Sequence, residues 1–419
     1  MEHLIPQKPL PRMGYYLYTF CRFTVASIVV GLVVGGAATV FGHLLRAAAG
    51  FREARPYMLW LLPFSGLLIV FFYHITDTRT SRGTNLVIEA VRSEDRIPAK
   101  MAPLIFISTA ITHLFGGSAG REGAALQLGG SLGHIIGDIF HTRESKKHIL
   151  VMCGMSAGFS ALFGTPVAAT IFALELANIG VMCYSALVPC TIASIIAYFI
   201  AQYSGLPAER FHIEDIPFTP SVTTAVIILG VLCAGLSVLF CFTLEHASHL
   251  ARRFIPNAYL RIFAGGTLVV AMTYLFHTRD YLGAGMNIIE QALEGTVAPE
   301  AFILKLLFTA ATLSFGFKGG EIIPTLFVGA TFGCTVSGLL GLEPHAAAAI
   351  GMIAMFCGVT NSPLTALLLA CEVFGFVSPA MFLLAISVSY MLSGYYSLYS
   401  SQKIVHSKTH HIVVNRTAH

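Results

Sequence analysis

Charged residues are scarce in this sequence. Only 11% of its 419 residues are Asp, Glu, Lys or Arg, whereas 55% are hydrophobic. An average soluble protein has about 25% charged residues. So few charges cannot cover a chain of this size with a polar surface, and most of that surface must face lipid. The scarcity excludes a cytosolic enzyme, a secreted disulfide scaffold and a disordered protein, and it predicts a membrane protein.

Motifs that carry enzyme or metal chemistry are also lacking. The nine cysteines form no C-x-x-C pair, and the sixteen histidines are scattered and include no H-E-x-x-H motif. We therefore expect no metal site, no other cofactor and no enzymatic activity. The net charge of +4 is too small to indicate a nucleic-acid partner.

Apolar stretches fill the chain from about residue 17 to residue 399. Several are shorter than the ~20 residues needed to cross ~30 Å of hydrocarbon, and others are broken by glycine or proline. Such segments can end inside a membrane only where they line a polar cavity. Basic residues cluster in the polar breaks, which by the positive-inside rule are cytoplasmic together with both termini. These clusters lie at 79–100, 143–147, 252–261 and 403–408.

The sequence contains an internal repeat. Residues 154–159 match residues 351–356, and the same spacing separates Glu175 from Glu372. Duplicated halves that meet at a midplane site are typical of transporters. We expect five segments along the chain: a cytoplasmic N-terminus (1–16), a first membrane repeat (17–203), a linker (204–220), a second membrane repeat (221–399) and a cytoplasmic tail (400–419).

The sharpest motif is a glycine-rich turn at 115–121 that leads directly into an apolar helix. Free N–H groups and the positive end of the macrodipole favour an anion at such a helix start. Glu122 follows the turn, and an acid in so apolar a sequence is costly unless it is paired or functional. Its carboxylate can occupy the anion site itself and leave when protonated, which predicts a gate and proton carrier. The alternative is a glutamate that caps its own helix. We expect Arg121 to pair or snorkel nearby.

Two further turns repeat this logic. Residues 316–324 combine glycines with a proline near the first turn of a helix. In the third turn, Gly83 precedes Thr84 and Asn85, which are natural N-caps and also possible donors to an ion. For these two residues capping and ion contact both remain open.

With these motifs the sequence resembles the CLC family of anion channels and anion/proton antiporters. Residues 120–123 resemble the family's G-(K/R)-E-G-P motif, with Ala124 in place of the proline, and residues 320–324 resemble its G-x-F-x-P motif. Residues 398–400 resemble the late segment in which a tyrosine hydroxyl faces the central ion. The resemblance implies an all-α polytopic membrane fold with two inverted repeats of tilted, partly broken helices. It also implies one pore per subunit and a homodimer.

Departures from the family pattern bear on the substrate. Chloride-type members carry G-S-G-I-P where this chain has Gly-Thr-Asn-Leu-Val at 83–87. This version, together with residues 316–321, is similar to the bacterial branch that exports fluoride in exchange for protons. Leu176 aligns with the internal glutamate of many chloride antiporters, and Glu175 lies one place earlier, which argues against their proton route. A chloride channel or a chloride/proton antiporter is the alternative.

The resemblance thus implies export of fluoride against inward protons across the bacterial inner membrane. The expected partners are fluoride or chloride ions, protons and membrane lipid. Glu122 is expected to be the gating and proton-coupling glutamate. The expected anion-binding residues are Gly83, Thr84, Asn85, Gly120, Arg121, Gly123, Ile322, Ile323 and Tyr399.

Overall fold

The protein is built from α-helices, as the sequence predicts. The computed structural model describes residues 9–78, 83–92, 96–409 and 412–418. Parts of the first basic cluster, at 79–82 and 93–95, lie outside them. Sixteen α-helices follow one another in the described residues: α1 (Pro9–Ala54), α2 (Leu62–Ile75), α3 (Thr84–Arg92), α4 (Met101–Phe115), α5 (Glu122–Ile139), α6 (Glu144–Phe163), α7 (Pro166–Glu175), α8 (Leu187–Tyr203), α9 (Pro220–Phe254), α10 (Ala258–Leu275), α11 (Met286–Leu293), α12 (Ala301–Leu313), α13 (Ile322–Leu340), α14 (Pro344–Thr360), α15 (Pro363–Phe374) and α16 (Pro379–Leu392).

The helices differ widely in length. In the described part of the chain, six are long and apolar enough to cross a membrane: Tyr16–Ala54, Pro56–Ile75, Tyr184–Tyr203, Pro220–Phe254, Ala258–Leu275 and Ile322–Leu340. By contrast, α7 has 10 residues and α15 has 12. At about 1.5 Å per residue they span roughly half of a ~30 Å hydrocarbon layer. The residues just before them, Thr165 and Ser362, are fully buried, so these helices begin inside the protein. The predicted broken helices are confirmed.

In each half, one pair of helices packs backbone against backbone. A Cβ atom at Gly129 of α5 would lie 2.0 Å from the carbonyl oxygen of Gly154 in α6. A Cβ atom at Gly351 of α14 would lie 2.4 Å from the carbonyl oxygen of Gly329 in α13. Only glycine permits such an approach, which is a common way for membrane helices to associate. The sequence repeat is therefore also a repeat of packing.

Reciprocal contacts show how the two halves are related. The Gly120 N–H donates to the Gly320 carbonyl oxygen at 2.7 Å, and the Gly320 N–H donates back to the Gly120 oxygen at 2.7 Å. Likewise, Glu175 of α7 accepts N–H groups at the start of α15, and Glu372 of α15 accepts N–H groups at the start of α7. A two-fold relation produces such exchanged contacts. The two inverted halves meet along these contacts.

Glu175 caps a buried helix start. Its Oε1 accepts the Leu364 N–H at 3.2 Å, and its Oε2 accepts the N–H and the hydroxyl of Thr365 at 3.0 and 2.7 Å. These N–H groups have no acceptor within α15, and the carboxylate also opposes the positive end of the helix dipole. Glu175 is therefore engaged in holding the halves together.

We expect Glu175→Gln to destabilise the protein without changing its proton coupling. The amide retains one acceptor oxygen, so one buried donor loses its partner at a cost of about 1–3 kcal/mol. Thermal unfolding in detergent should show a lower midpoint, and Glu372→Gln should behave alike because it breaks the matching cap. A Glu175→Gln protein of wild-type stability that has lost proton transport would contradict this assignment.

The last residues form a small sheet that the sequence did not predict. Strand β1 (Asn178–Ile179) pairs in parallel with β2 (Lys403–His406), which pairs antiparallel with β3 (Val413–Thr417). Gln402 is fully buried, and its Nε2 donates to the carbonyl oxygens of Leu176 and Thr360, both at 2.8 Å. The expected tail at 400–419 thus docks on the helices. Strands of two to five residues are too short to leave a periodic signal in the sequence, and the partner of β1 lies more than 200 residues away.

Candidate functional site

The starts of α5 and α13 meet where the two halves touch. A Cβ atom at Gly123, the second residue of α5, would lie 2.9 Å from the Gly320 Cα, just before α13. Ile322 and Ile323 open α13 and are buried. The first-turn N–H groups of both helices have no acceptor one turn earlier. Two sets of donors and two positive dipole ends therefore lie together, an arrangement that favours an anion.

Glu122 occupies the start of α5 with its own carboxylate. The side chain is fully buried. Its Oε2 accepts the Arg121 N–H at 3.1 Å, and its Oε1 accepts Arg121 Nε at 3.2 Å. A Cβ atom at Gly120 would lie 3.1 Å from Oε2, so glycine leaves room for the carboxylate beside the turn. A negative group already stands at the positive end of α5.

The Arg121 guanidinium is held by several acceptors. Besides Glu122, it donates through Nη2 to the Glu209 carboxylate and, at 3.3 Å, to the Leu162 carbonyl oxygen. Its side chain is 10% exposed. These contacts agree with the expected pairing role. An ion would have to compete with two carboxylates for this group.

The start of α3 approaches the same point from a third direction. Gly83 has a left-handed φ of 62°, which glycine adopts without strain. The Thr84 hydroxyl oxygen accepts Gln127 Nε2 at 3.1 Å and lies 3.6 Å from the Cβ position of Gly123. Because Thr84 Oγ1 accepts this bond, its own O–H remains available as a donor.

Asn85 is oriented by the tail of the chain. Its Oδ1 accepts the Ser401 N–H at 3.0 Å, and the Ser401 hydroxyl donates to Glu89 at 2.7 Å. The Asn85 carbonyl is thereby occupied, whereas its NH₂ group has no hydrogen-bond partner among the residues that the structure describes. The residue lines a cavity and does not cap α3 through its own side chain.

Tyr399 lies deep in the protein. It is 1% exposed. In the part of the chain that the structure describes, its hydroxyl has no hydrogen-bond partner. The same holds for Gln127 Oε1 and Glu321 Oε2. Since buried polar atoms are nearly always paired, the unpaired oxygens of Gln127 and Glu321, two residues that line one cavity, mark a place where a polar ligand completes the bonding.

Two separate cavities approach this point. The Asn85 cavity has a volume of 800 Å³, and its lining includes Asn85, Gln127, Arg252, Glu321 and Ser401. The Arg52 cavity has a volume of 330 Å³, and its lining includes Arg52, His113, Arg121, Arg279 and Asn287. Among the described residues none lines both, and Glu122 lines neither. The pathway is closed where Glu122 lies.

Glu321 was not among the expected site residues. It directly precedes α13, as Arg121 directly precedes α5. Its Oε2 would lie 3.1 Å from a Cβ atom at Gly123. It also lines the Asn85 cavity. The signal that could have found it is an acid following glycine at the start of both repeated helices, at 119–123 and 319–321.

Comparisons with known proteins agree with this geometry. Residues 65–394 match the family described as voltage gated chloride channel. The chain is 35% identical, over 390 residues, to a chloride/fluoride channel protein of Pseudomonas syringae pv. tomato. That match covers 91% of this chain and 86% of the relative.

Solved structures share the fold. The crystal structure of a CLC-type fluoride/proton antiporter has a TM-score of 0.89 and 32% identity to this chain. The match covers 92% of this chain and 99% of the antiporter. A slow cyanobacterial Cl⁻/H⁺ antiporter has a TM-score of 0.76 and 21% identity, over 89% of this chain and 94% of its own. This second likeness concerns the fold alone.

Proposed function

This chain belongs to the voltage-gated chloride channel family, and from that premise we propose that it is a secondary transporter that exports fluoride in exchange for protons. The observation that carries the proposal is the fully buried Glu122 carboxylate at the start of α5, between two cavities that share no lining residue. The similarity to a chloride/fluoride channel protein and to a fluoride/proton antiporter supports the choice of ion.

Competition between a proton and an anion at Glu122 couples the two fluxes. While charged, the carboxylate accepts the Arg121 N–H just before α5 and excludes another anion. Protonation removes its charge and weakens its hold on the positive helix end. The side chain can then turn away, and an anion takes its place. A proton that arrives from one side is thus exchanged for an anion from the other.

The donors around the site suit a strongly hydrated ion. Fluoride must exchange its water for short hydrogen bonds. The Asn85 NH₂ group, the Thr84 hydroxyl, the first-turn N–H groups at Gly123 and Ile323, and the Tyr399 hydroxyl are proposed to supply them. Gly83 and Gly120 admit the ion close to the backbone, while Ile322 adds a further N–H and Arg121 holds Glu122 in place.

The second candidate function is chloride transport, either as a channel or as a chloride/proton antiporter. The same N–H and O–H groups can also donate hydrogen bonds to chloride, and a Cl⁻/H⁺ antiporter shares the fold. The distinction therefore lies in selectivity rather than in architecture.

The orientation follows from the charge distribution. The basic residues near the Asn85 cavity, Arg92 and Arg252, belong to the clusters that the positive-inside rule assigns to the cytoplasm. We therefore place this cavity and both termini inside the cell, the Arg52 cavity outside, and the chain in the bacterial inner membrane. The segment boundaries given above remain a prediction.

A homodimer is part of the proposal. The breaks at 164–166 and 361–363 resemble those before the dimer-side helices of the family, and α7 and α15 begin there. Val167 and Leu364, at the start of these two helices, are 50% and 49% exposed. A second copy of the chain would cover this apolar face.

Flux measurements on purified protein in liposomes test the function. We expect fluoride leaving loaded liposomes to drive uptake of protons, and a proton gradient to concentrate fluoride. The external pH should be neutral or higher, because hydrogen fluoride itself crosses the bilayer. Protein-free liposomes measure the rate of this leak. A chloride flux equal to or faster than the fluoride flux would contradict fluoride export.

A further inference from the structure

The start of α11 repeats the start of α3 in the opposite cavity. Gly83-Thr84-Asn85 corresponds in sequence to Gly285-Met286-Asn287. Gly83 and Gly285 both have left-handed φ values, of 62° and 80°. Asn85 lines the Asn85 cavity, whereas Gly285 and Asn287 line the Arg52 cavity. The inverted repeat therefore places a matching helix start in the Arg52 cavity, on the other side of the closure at Glu122.

The first N–H groups of α11 lie at the edge of this cavity and have no acceptor inside the helix. The N–H groups of Ile288 and Ile289 both donate to the Gly285 carbonyl oxygen. Those of Met286 and Asn287 precede the first such bond and are left without a partner inside the helix. The eight residues of α11 thus place a positive dipole end and the Asn287 N–H at the Arg52 cavity, which Gly285 and Asn287 line.

A buried histidine independently indicates a ligand there. His113 is 4% exposed and lines the Arg52 cavity. Its Nδ1 lies 2.9 Å from the Thr109 carbonyl oxygen and must therefore carry the proton. In the described part of the chain Nε2 is buried without a partner. A buried acceptor without a partner is rare, and a donor at the edge of the Arg52 cavity, which His113 lines, would complete its bonding.

Positive groups surround the same cavity. Four arginines, Arg46, Arg52, Arg121 and Arg279, line it together with two acids, Glu53 and Asp280. Of these arginines, Arg121 is paired with Glu122 and Glu209, and Arg52 with Glu53. Behind it, Lys305 is fully buried and donates to the carbonyl oxygens of Tyr281 and Gly283 at 3.2 and 2.7 Å.

The lysine and Arg52 fix the loop that presents α11. The Lys305 Nζ lies 3.4 Å from the Cβ position of Gly285, and Arg52 Nη1 lies 2.7 Å from that of Gly283. The Gly283 N–H in turn donates to the Gly117 carbonyl oxygen at 3.1 Å. The donors of α11 are therefore held in place before any ion arrives.

We propose that the Arg52 cavity contains a second halide site, separate from the one at Glu122. The N–H groups of Met286 and Asn287 and the Arg279 side chain bind a partly hydrated fluoride or chloride ion. A water molecule of the ion's shell donates to His113 Nε2. The identity of the ion rests on the proposed function, whereas the site itself rests on the geometry of α11 and His113.

Bromide in crystals of the full chain tests the site directly. We expect anomalous density from bromide within hydrogen-bonding distance of the Met286 or Asn287 N–H. A map without density in the Arg52 cavity overturns the proposal, whether or not bromide occupies the Asn85 cavity. Bromide binding does not require transport, so failure of fluoride/proton exchange would leave this result intact.

Fluoride flux measured from each face of the membrane tests whether the second halide site takes part in transport. In right-side-out and inside-out membrane vesicles, Arg279→Gln should raise the half-saturating fluoride concentration about threefold at the face of the Arg52 cavity only. The maximal rate and the half-saturation at the other face should not change. Arg210→Gln removes an exposed charge near Glu209, outside both cavities, and is the matched control. Equal effects of the two variants would indicate surface potential alone and would overturn the proposal.

Discussion

Replacement of Glu122 by glutamine is expected to abolish proton coupling while the protein still folds. Glutamine has nearly the same shape and keeps one oxygen that can accept the Arg121 N–H, which the native Oε2 accepts at 3.1 Å. It cannot take up or release a proton near neutral pH. Since a positioned acid or base contributes about 10²–10⁴-fold to a proton-transfer step, proton flux should fall at least about 100-fold.

Fluoride should still move down its own gradient in this variant. Without the negative carboxylate, the start of α5 is occupied by a neutral group that competes less well with an anion. Simultaneous recording of pH and fluoride in liposomes separates the two fluxes. Glu209→Gln is the matched control, because Glu209 also pairs with Arg121 but lies farther out, with a side chain that is 14% exposed. Uphill fluoride transport by Glu122→Gln on a proton gradient would show that Glu122 is not the proton carrier.

Replacement of Asn85 by serine is expected to weaken the preference for fluoride over chloride. The Ser401 N–H occupies the Asn85 carbonyl, so the NH₂ group remains for the ion. Serine is shorter and its hydroxyl can be drawn to other acceptors, so a short bond to the ion is lost. One such hydrogen bond contributes about 1–1.5 kcal/mol, which corresponds to a change of about tenfold in relative affinity.

The reversal potential in mixed fluoride and chloride gradients measures this preference. Asn257→Ser is a suitable control, because Asn257 caps α10 through its Oδ1 and serine caps a helix equally well. That variant should keep the wild-type ratio. An unchanged ratio in Asn85→Ser would remove this residue from the selectivity filter, although it would leave the role of Glu122 untouched.

The sequence located Glu122 because its signal is local. An acid between glycines at the start of an apolar helix is costly in a membrane, and the neighbouring residues alone reveal this. Glu321 carries the same signal one repeat later, yet the tertiary structure marks it as part of the site. It lines the Asn85 cavity, and its Oε2 lies beside Gly123 without a partner among the described residues. Glu175 was ambiguous in sequence, and its three contacts with Leu364 and Thr365 assign it to the cap of α15.

The sequence by itself determined that this protein lies in a membrane, that its two halves are duplicated and that its helices break at glycines and prolines. Hydropathy, spacing and turn residues are properties of neighbouring positions, so they can be read without a fold. Only the tertiary structure decided which polar groups form hydrogen bonds with each other. The Ser401 N–H that orients Asn85 comes from 316 positions away, and the Gly320 N–H that meets Gly120 comes from the other half. Such partners are brought together only when the helices pack, because buried polar groups must find a partner wherever the chain places one.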